Sequence, residues 1–573
     1  MLLNGWGMKR AGQTKVHRVI RKEKLIMDIW KRKIVLYGNK KIQNDFRFLF
    51  GNLLIAENEK WDKSTIIKMI REDFLIVICE KERNCSFENV LKDMELQICK
   101  NYVYIEDFFQ YYNPMFLERG NRKLAIWGTG ETARGLWEIL ESRGAASEVD
   151  FFIDNAQNKS MFMGKKVFLP AEIMDKEDLY IIVATHLFQW EIYAQMEAYG
   201  LCEKKDYVHC DDVTRDYESL LRKVCFSDQT YAFRCDRPFG YCDVIGDELY
   251  LCCPDFLPIS AGSMRSAPFT ACWHSYMAKI LRLSVLNGTY VFCNKQYCDL
   301  FDFDQETMAR PEASPAYDCT CPEYPRTLMV GIDYSCNLRC PSCRTEICVA
   351  SGEERKEMER KAEDLLEHVI PHVNRLWLAG SGEVFFSRVY RKILDDERCK
   401  KRANISILSN GTLFDEKRWK QLKESYKTIE IAISMDGMKD STIEKLRRGS
   451  DAQELKRNLE RLGDLRKKGE IDKLFLSCVL QDANVAEVYE LLEYCKEIGV
   501  DKVQFLKLKD NGTYMDADKF QSVSVFDEEG MVKEQYQPYF TEELRTHPLA
   551  DWFNNSRVLH VEKRPRLDAY DTF

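Results

Sequence analysis

From Leu328 to Leu508 the chain alternates apolar, strand-like runs with charged amphipathic stretches six times over, and this alternation restricts the fold more than any other feature. The runs are Leu328–Tyr334, Arg375–Ala379, Ile405–Leu408, Ile429–Ser434, Leu474–Leu480 and Lys502–Leu508. Between them lie stretches such as Arg355–Val369, Lys417–Tyr426, Ala452–Leu465 and Val485–Ile498. Strands separated by helices of this length make parallel βα units. Six units are about three-quarters of a (βα)8 barrel, where working residues gather at the C-terminal strand ends.

Polar signatures fall at those ends. The first run leads into Cys336-Asn-Leu-Arg-Cys340-Pro-Ser-Cys343. Thiolates are the usual ligands of iron–sulfur clusters, so this loop can hold three irons of a 4Fe-4S cluster and leave the fourth open for chemistry. A structural zinc site is the alternative, with Cys348 as a fourth ligand. The second run ends in Gly380-Ser381-Gly382-Glu383, the third in Ser409-Asn410-Gly411, the fourth in Ser434-Met-Asp436-Gly437. Glycine allows close approach of backbone to a ligand, and Glu383 can accept a charge-assisted bond from an ammonium group.

In this order the motifs resemble the radical S-adenosylmethionine (SAM) enzymes over Arg326–Lys509. The resemblance implies an α/β fold with a partial (βα)6 TIM-like barrel. It implies a 4Fe-4S cluster on Cys336, Cys340 and Cys343, with SAM bound to the open iron. Gly380–Glu383 looks like the family's Gly-Gly-Glu motif, with Ser381 replacing the second glycine. Ser409, Asn410, Ser434 and Asp436 would face the SAM ribose and methionyl group. Arg447 or Arg448 would meet the SAM carboxylate, Arg447 being favoured. Ser342 stands where many members carry an aromatic residue.

Of 22 cysteines, 14 lie between Cys225 and Cys348. A secreted disulfide scaffold would be short, so metal binding explains the clustering better. The order Cys235, Cys252-Cys253, Gly262-Ser263, Cys272-Trp273, Cys293, Cys298 resembles the SPASM or twitch domain, which carries auxiliary iron–sulfur clusters, although here it precedes the barrel. The resemblance implies Cys235, Cys252, Cys293 and Cys298 as ligands of at least one auxiliary 4Fe-4S cluster, with Cys253 competing with Cys252. Cys225, Cys242, Cys272, Cys319 and Cys321 stay unassigned.

The N-terminal third repeats itself. Lys123-Leu-Ala-Ile-Trp-Gly128-Thr-Gly130-Glu-Thr-Ala133 reads as a strand and a glycine turn opening a helix, with Asp154 about twenty positions on. That arrangement can place a nucleotide at Gly128, Gly130 and Asp154. Lys33–Asn39 parallels Lys123–Thr129, Phe74–Ile78 parallels Leu179–Val183, and Tyr102–Asp107 parallels Tyr207–Asp212. Both copies resemble the small Rossmann-like domain at the front of sugar-modifying acyltransferases. A docking platform without nucleotide is the other reading. The first copy lacks the second glycine.

The expected organisation is 1–31 disordered or upstream of the true start, 32–118 and 119–217 Rossmann-like, 218–325 a cysteine-rich α+β auxiliary domain, 326–509 the partial barrel, and 510–573 a cap or tail. A net charge of −8 argues against a general nucleic-acid binder. No apolar run is long enough to span a membrane, and no secretory signal is present, so a cytoplasmic enzyme is expected. The resemblance implies a reductant such as flavodoxin or ferredoxin. It points to oxidative modification of a ribosomal peptide or, alternatively, of a nucleotide-linked sugar or polysaccharide precursor. A non-catalytic zinc- and nucleotide-binding scaffold is the rival from another class.

Overall fold

The computed structural model describes residues 32–301 and 321–552, except 52, 54, 57–60, 84, 99, 157–159, 175–177, 232, 296–297, 379–381, 401–403, 510–512, 514–516 and 529. Expectations for residues 1–31 and 553–573, and for Gly380, Ser381 and Cys319, fall outside the described residues. Residues 32–234 and His274–Val291 form one compact unit; Cys235–Trp273, residues 292–301 and the chain from 321 form the other. The stretch 218–325, expected as one module, is thus shared between the two.

In the N-terminal unit, two parallel sheets carry the repeat. The first is ordered Ile55–Ala56, Ile34–Gly38, Leu75–Cys79, Tyr102–Tyr104. The second has the same order in Val149–Ile153, Lys123–Trp127, Leu179–Val183, Tyr207–His209, and adds Lys165–Phe168 and Met161–Phe162 outside Val149–Ile153. Leu75–Cys79 and Leu179–Val183 are buried along their whole length, as strands covered on both faces must be. Gly38 and Gly128 both have positive φ, 107° and 124°. A Cβ on either would lie 2.8 Å from a backbone carbonyl at the end of the third strand, that of Cys79 or Ala184. Close approach of backbone therefore explains the retained first glycine of each copy. Helix Tyr276–Leu286 joins this unit because nearly all its apolar side chains are buried, packing beside Tyr217–Cys225 and Lys40–Leu49.

In the other unit, the six runs expected as strands appear as Thr327–Gly331, Arg375–Leu378, Asn404–Ser409, Ile429–Ser434, Lys473–Leu480 and Lys502–Lys507, each parallel to the next. The sheet is larger than six strands. Tyr241–Ile245 pairs in parallel with Thr327–Gly331 and carries the antiparallel Glu248–Tyr250 and Gly262–Ser263 beyond it. At the opposite edge, Ala550–Asp551 pairs with Lys502–Lys507, and Trp552 stacks on Phe505 at 4.8 Å. These additions cover edges that six strands alone would leave with unpaired backbone groups. Helices Gly352–His368, Arg388–Asp395, Glu416–Ser425, Ala452–Lys467 and Val488–Ile498 lie between the strands. Asp451 caps Ala452–Lys467 by accepting the Glu454 N–H at 2.8 Å. Gly463 inside that helix faces the Ile498 carbonyl, which a Cβ would meet at 2.3 Å.

Candidate active site

The cysteine loop starts where strand Thr327–Gly331 ends, and a buried acid anchors it. Asp333 Oδ1 accepts the Ser335 N–H at 2.8 Å, its Oδ2 accepts the Ser387 hydroxyl, and its own N–H donates to Tyr390 Oη at 3.2 Å. The far side of the loop is tied back by Cys336 N–H to the Cys348 carbonyl, 2.9 Å, and Ala350 N–H to Ser335 Oγ, 2.9 Å. Within the loop, the Cys343 and Arg344 N–H groups both donate to the Cys340 carbonyl. Cys336 and Cys340 are buried and Cys343 is exposed.

Two guanidinium groups attend these thiols. Arg344 donates to the Tyr334 carbonyl at 2.6 Å and to Cys343 Sγ at 3.3 Å. Arg447, partly buried, pairs with Asp436 Oδ2 at 2.7 Å and also acts on Cys340. Burial pushes the Cys336 and Cys340 thiols upward, and the neighbouring arginines pull them back. A cation beside a thiol favours the thiolate, the form that binds metal. Cys348 contributes its carbonyl to the loop, and its thiol faces the Glu346 carbonyl at 3.5 Å.

Strand-end residues close around the loop. Gly382 is required by space: a Cβ there would lie 2.4 Å from the Asp333 carbonyl oxygen and 2.7 Å from that of Ser335. Glu383 is buried. Its Oε1 accepts from Ser409 Oγ (2.8 Å) and the Phe385 N–H (3.1 Å), and its Oε2 from the Asn410 N–H (2.6 Å). Burial raises the Glu383 carboxyl and these donors oppose the rise. The carboxylate expected to meet an ammonium group thus also clamps two strand ends together. Asn410 Nδ2 donates to Asn337 Oδ1 at 2.9 Å and approaches Cys336 Sγ at 3.8 Å. Asp436 Oδ1 accepts the Val479 N–H at 2.7 Å. Ser434 ends the same strand, opposite Ser477.

Sequence reading missed Asp333, Asn337, Arg344 and Asn484. Asn484 Nδ2 holds the Asp436 and Val479 carbonyls at 3.2 and 2.8 Å. The signal for Asp333 was an acid two positions beyond strand Thr327–Gly331, just ahead of the cysteine loop. Beside the loop opens a cavity of about 400 Å³ whose lining includes Asp333, Ser335, Phe385, Arg388, Arg391 and Arg418.

Cys235, Cys252 and Cys298 all act on Cys293, whose thiol burial pushes far up. Arg237 reaches Cys252 Sγ at 3.7 Å and lies 4.3 Å over the Tyr241 ring. Burial raises Cys252 to about 11 and Cys253 to about 12. Cys253 differs in company: after burial, its neighbours in effect are Asp243 and Asp255. Cys242 and Cys272 are buried, Cys321 approaches the Pro322 carbonyl, and Cys225 belongs to the other unit.

In the second repeat, Asp154 Oδ2 accepts the Thr129 hydroxyl at 2.6 Å and Oδ1 the Ala156 N–H at 2.8 Å. A Cβ on Gly130 would meet nothing within 4 Å. No described helix is long and apolar enough to cross a membrane.

Residues 333–495 match the family model described as Radical SAM superfamily, and residues 120–206 match one described as C2185-like, N-terminal. No curated protein matches the sequence. Among solved structures, the chain is similar to Streptococcus suis SuiB bound to precursor peptide SuiA, with 18% identity over 32% of this chain and 39% of that one and a TM-score of 0.25. It is similar to anSMEcpe with bound AdoMet, at 22% identity over 35% of this chain and 53% of that one, TM-score 0.26. It is also similar to the radical S-adenosylmethionine methyltransferase TsrM from Kitasatospora setae, at 11% identity over 84% and 74%, TM-score 0.25. The chain spans about two-fifths of the SuiB length and about half that of anSMEcpe. Residues 333–495 form a domain of the Radical SAM superfamily.

Proposed function

We propose that this chain is a radical SAM enzyme that removes a hydrogen atom from a ribosomal peptide and completes a net oxidation of it. The cysteine loop carries the reading: three soft donors at one strand end, flanked by two guanidinium groups. That donor set fits a 4Fe-4S cluster with one iron left for SAM. Cys336, Cys340 and Cys343 would hold the cluster, which with SAM and a reductant such as flavodoxin or ferredoxin would supply the radical chemistry that removes the hydrogen atom.

The chain's own residues hold and orient. Asp333, Ser335 and Gly382 fix the loop against the next strand end. Asn410 and Asn337 brace it from the third. Ser409, Ser434 and Asp436 offer hydroxyl and carboxylate groups suited to a ribose. Arg447 has five donors, enough to share between Asp436 and an arriving carboxylate. Cys235, Cys252, Cys293 and Cys298 would hold an auxiliary cluster, which would supply an acceptor for the second electron, while the substrate's proton leaves to solvent.

Nucleotide-linked sugar as substrate is the second reading, favoured by the open space over Gly130 at the start of helix Glu131–Ser142, which has no side-chain cap. The test is isotope transfer. With iron-loaded protein, reductant, SAM and a deuterated precursor peptide, deuterium should appear in 5′-deoxyadenosine. Deuterium arriving only from a labelled nucleotide-sugar selects the second reading. Zinc without iron after anaerobic purification supports the scaffold instead.

A further inference from the structure

The second α/β repeat ends two neighbouring strands in metal-ligating side chains, of which its sister keeps only a carboxylate. Strand Leu179–Val183 leads into Ala184, Thr185 and His186; strand Tyr207–His209 leads into Cys210 and Asp211. The strands are parallel, with Val183 opposite His209, so these ends emerge side by side. One ligand atom each from His186, Cys210 and Asp211 lie within 4.8 Å of one another. His186 Nε2 stands 3.7 Å from Asp211 Oδ1, and Cys210 Sγ stands 3.9 Å from the same oxygen.

Those separations suit one ion. Tetrahedral binding at about 2.1 Å from nitrogen and oxygen and about 2.3 Å from sulfur sets donors roughly 3.4 to 3.6 Å apart. Small side-chain rotations close the difference. Cys210 is buried, whereas His186 and Asp211 are half exposed, leaving a fourth position for water or an anionic oxygen. His209 holds the corner together. Its Nε2 is 3.1 Å from the Thr185 carbonyl, and its Nδ1 takes the Asp211 N–H at 3.3 Å. The same Nδ1 lies 3.2 Å from Asp211 Oδ2 and 3.9 Å from Cys210 Sγ.

The sister repeat supplies an internal control. Aligning Gly38 with Gly128 through the strand registers puts Lys81 at the place of His186, Ile105 at that of Cys210 and Glu106 at that of Asp211. There Glu106 pairs with Arg83 and Arg222. The fold therefore accommodates a cation and an aliphatic side chain at this corner, and does not need the histidine and cysteine to form it.

We propose that His186, Cys210 and Asp211 bind one divalent cation of the zinc class. A nitrogen, a thiolate and a carboxylate are the donor mix that borderline-soft ions of this class accept. The site stands apart from the cysteine loops in both sequence and donor set, and is independent of the radical chemistry assigned to residues 333–495.

The test uses the full chain, prepared anaerobically and loaded first with iron and sulfide so that the other cysteine groups are filled. It is then titrated with Zn²⁺ against a chromophoric chelator. The expected result is a single further zinc equivalent, held equally by wild type and Lys81→Ala. His186→Ala and Asp211→Asn should weaken it at least as much as the roughly 10- to 100-fold that loss of an outer-shell partner causes. Both positions are half exposed, so folding is not at stake, and circular dichroism checks this. With Co²⁺ in place of zinc, a thiolate charge-transfer band should form and be lost in Cys210→Ser. No further zinc equivalent in wild type, or equal zinc affinity in wild type, His186→Ala and Asp211→Asn, overturns the proposal.

Discussion

Gly382→Ala should disable the cysteine loop without removing a single ligand. The new Cβ would sit 2.4 Å from the Asp333 carbonyl oxygen, and Cβ atoms essentially never come within 3.0 Å of another heavy atom. Some backbone must therefore retreat by about 0.6 Å, the difference between those distances. Neither neighbour is free to do so. Asp333 is tied to Ser387 and Tyr390, and Ser335 to Asp333 and Ala350. Forcing extra volume into such packing costs about 1–3 kcal/mol, roughly 5- to 150-fold in occupancy of the native loop. Misplacement of reacting groups approaching 1 Å costs about 100-fold in rate. The assay is 5′-deoxyadenosine formation by iron-loaded protein with SAM and reductant, beside iron content. The expected outcome is a loss on the order of 100-fold, with auxiliary cluster absorbance kept. A wild-type rate in Gly382→Ala would refute the argument that the Asp333–Ser335 approach dictates this glycine.

Cys252→Ser should remove the auxiliary cluster, whereas Cys253→Ser should spare it, because Arg237 reaches Cys252 Sγ and favours its thiolate while Asp243 and Asp255 beside Cys253 disfavour that thiolate; iron analysis in a Cys336/Cys340/Cys343-free background reads both. Glu487 gives a pH prediction. Burial pushes its carboxyl up, but donors at Lys439, Thr442 and Met438 outweigh it and hold it below the usual range. A carboxyl lowered by folding contributes stability that is full above its unfolded value and lost as pH falls through the folded one. Melting of the wild type should therefore drop on acidification more than that of Glu487→Gln, and parallel curves would count against it. Gly130→Val should abolish any thermal stabilisation by nucleotide-sugars while leaving SAM cleavage intact; if no nucleotide stabilises the wild type, the repeat is better read as a docking platform.

Much of this architecture is legible in the sequence because its signals are local. Apolar runs such as Ile429–Ser434 and Lys473–Leu480 announce strands, and the glycines at 38 and 128 announce the repeat. What escaped detection depends on partners distant in the chain. Tyr241–Ile245 is short, sits amid cysteines, and pairs with a strand beginning more than eighty residues later, so no local pattern places it in this sheet. The polar strand ends show a similar limit. Glu383, Asp436 and Arg447 stand out by type and position, yet only the fold shows Glu383 clamping Ser409 and Asn410, and Arg447 paired with Asp436. The choice of Cys235, Cys252, Cys293 and Cys298 rests on resemblance alone, since spacing left Cys252 and Cys253 equivalent.

The central claim is that Cys336, Cys340 and Cys343 carry the reaction. Replacing all three by Ala in the full chain, followed by anaerobic loading with iron and sulfide and incubation with SAM and reductant, tests it most directly. The account predicts that 5′-deoxyadenosine formation disappears while absorbance near 400 nm from an auxiliary cluster, roughly where thiolate-bound iron–sulfur centres absorb, persists. Continued 5′-deoxyadenosine formation by the triple variant would contradict it.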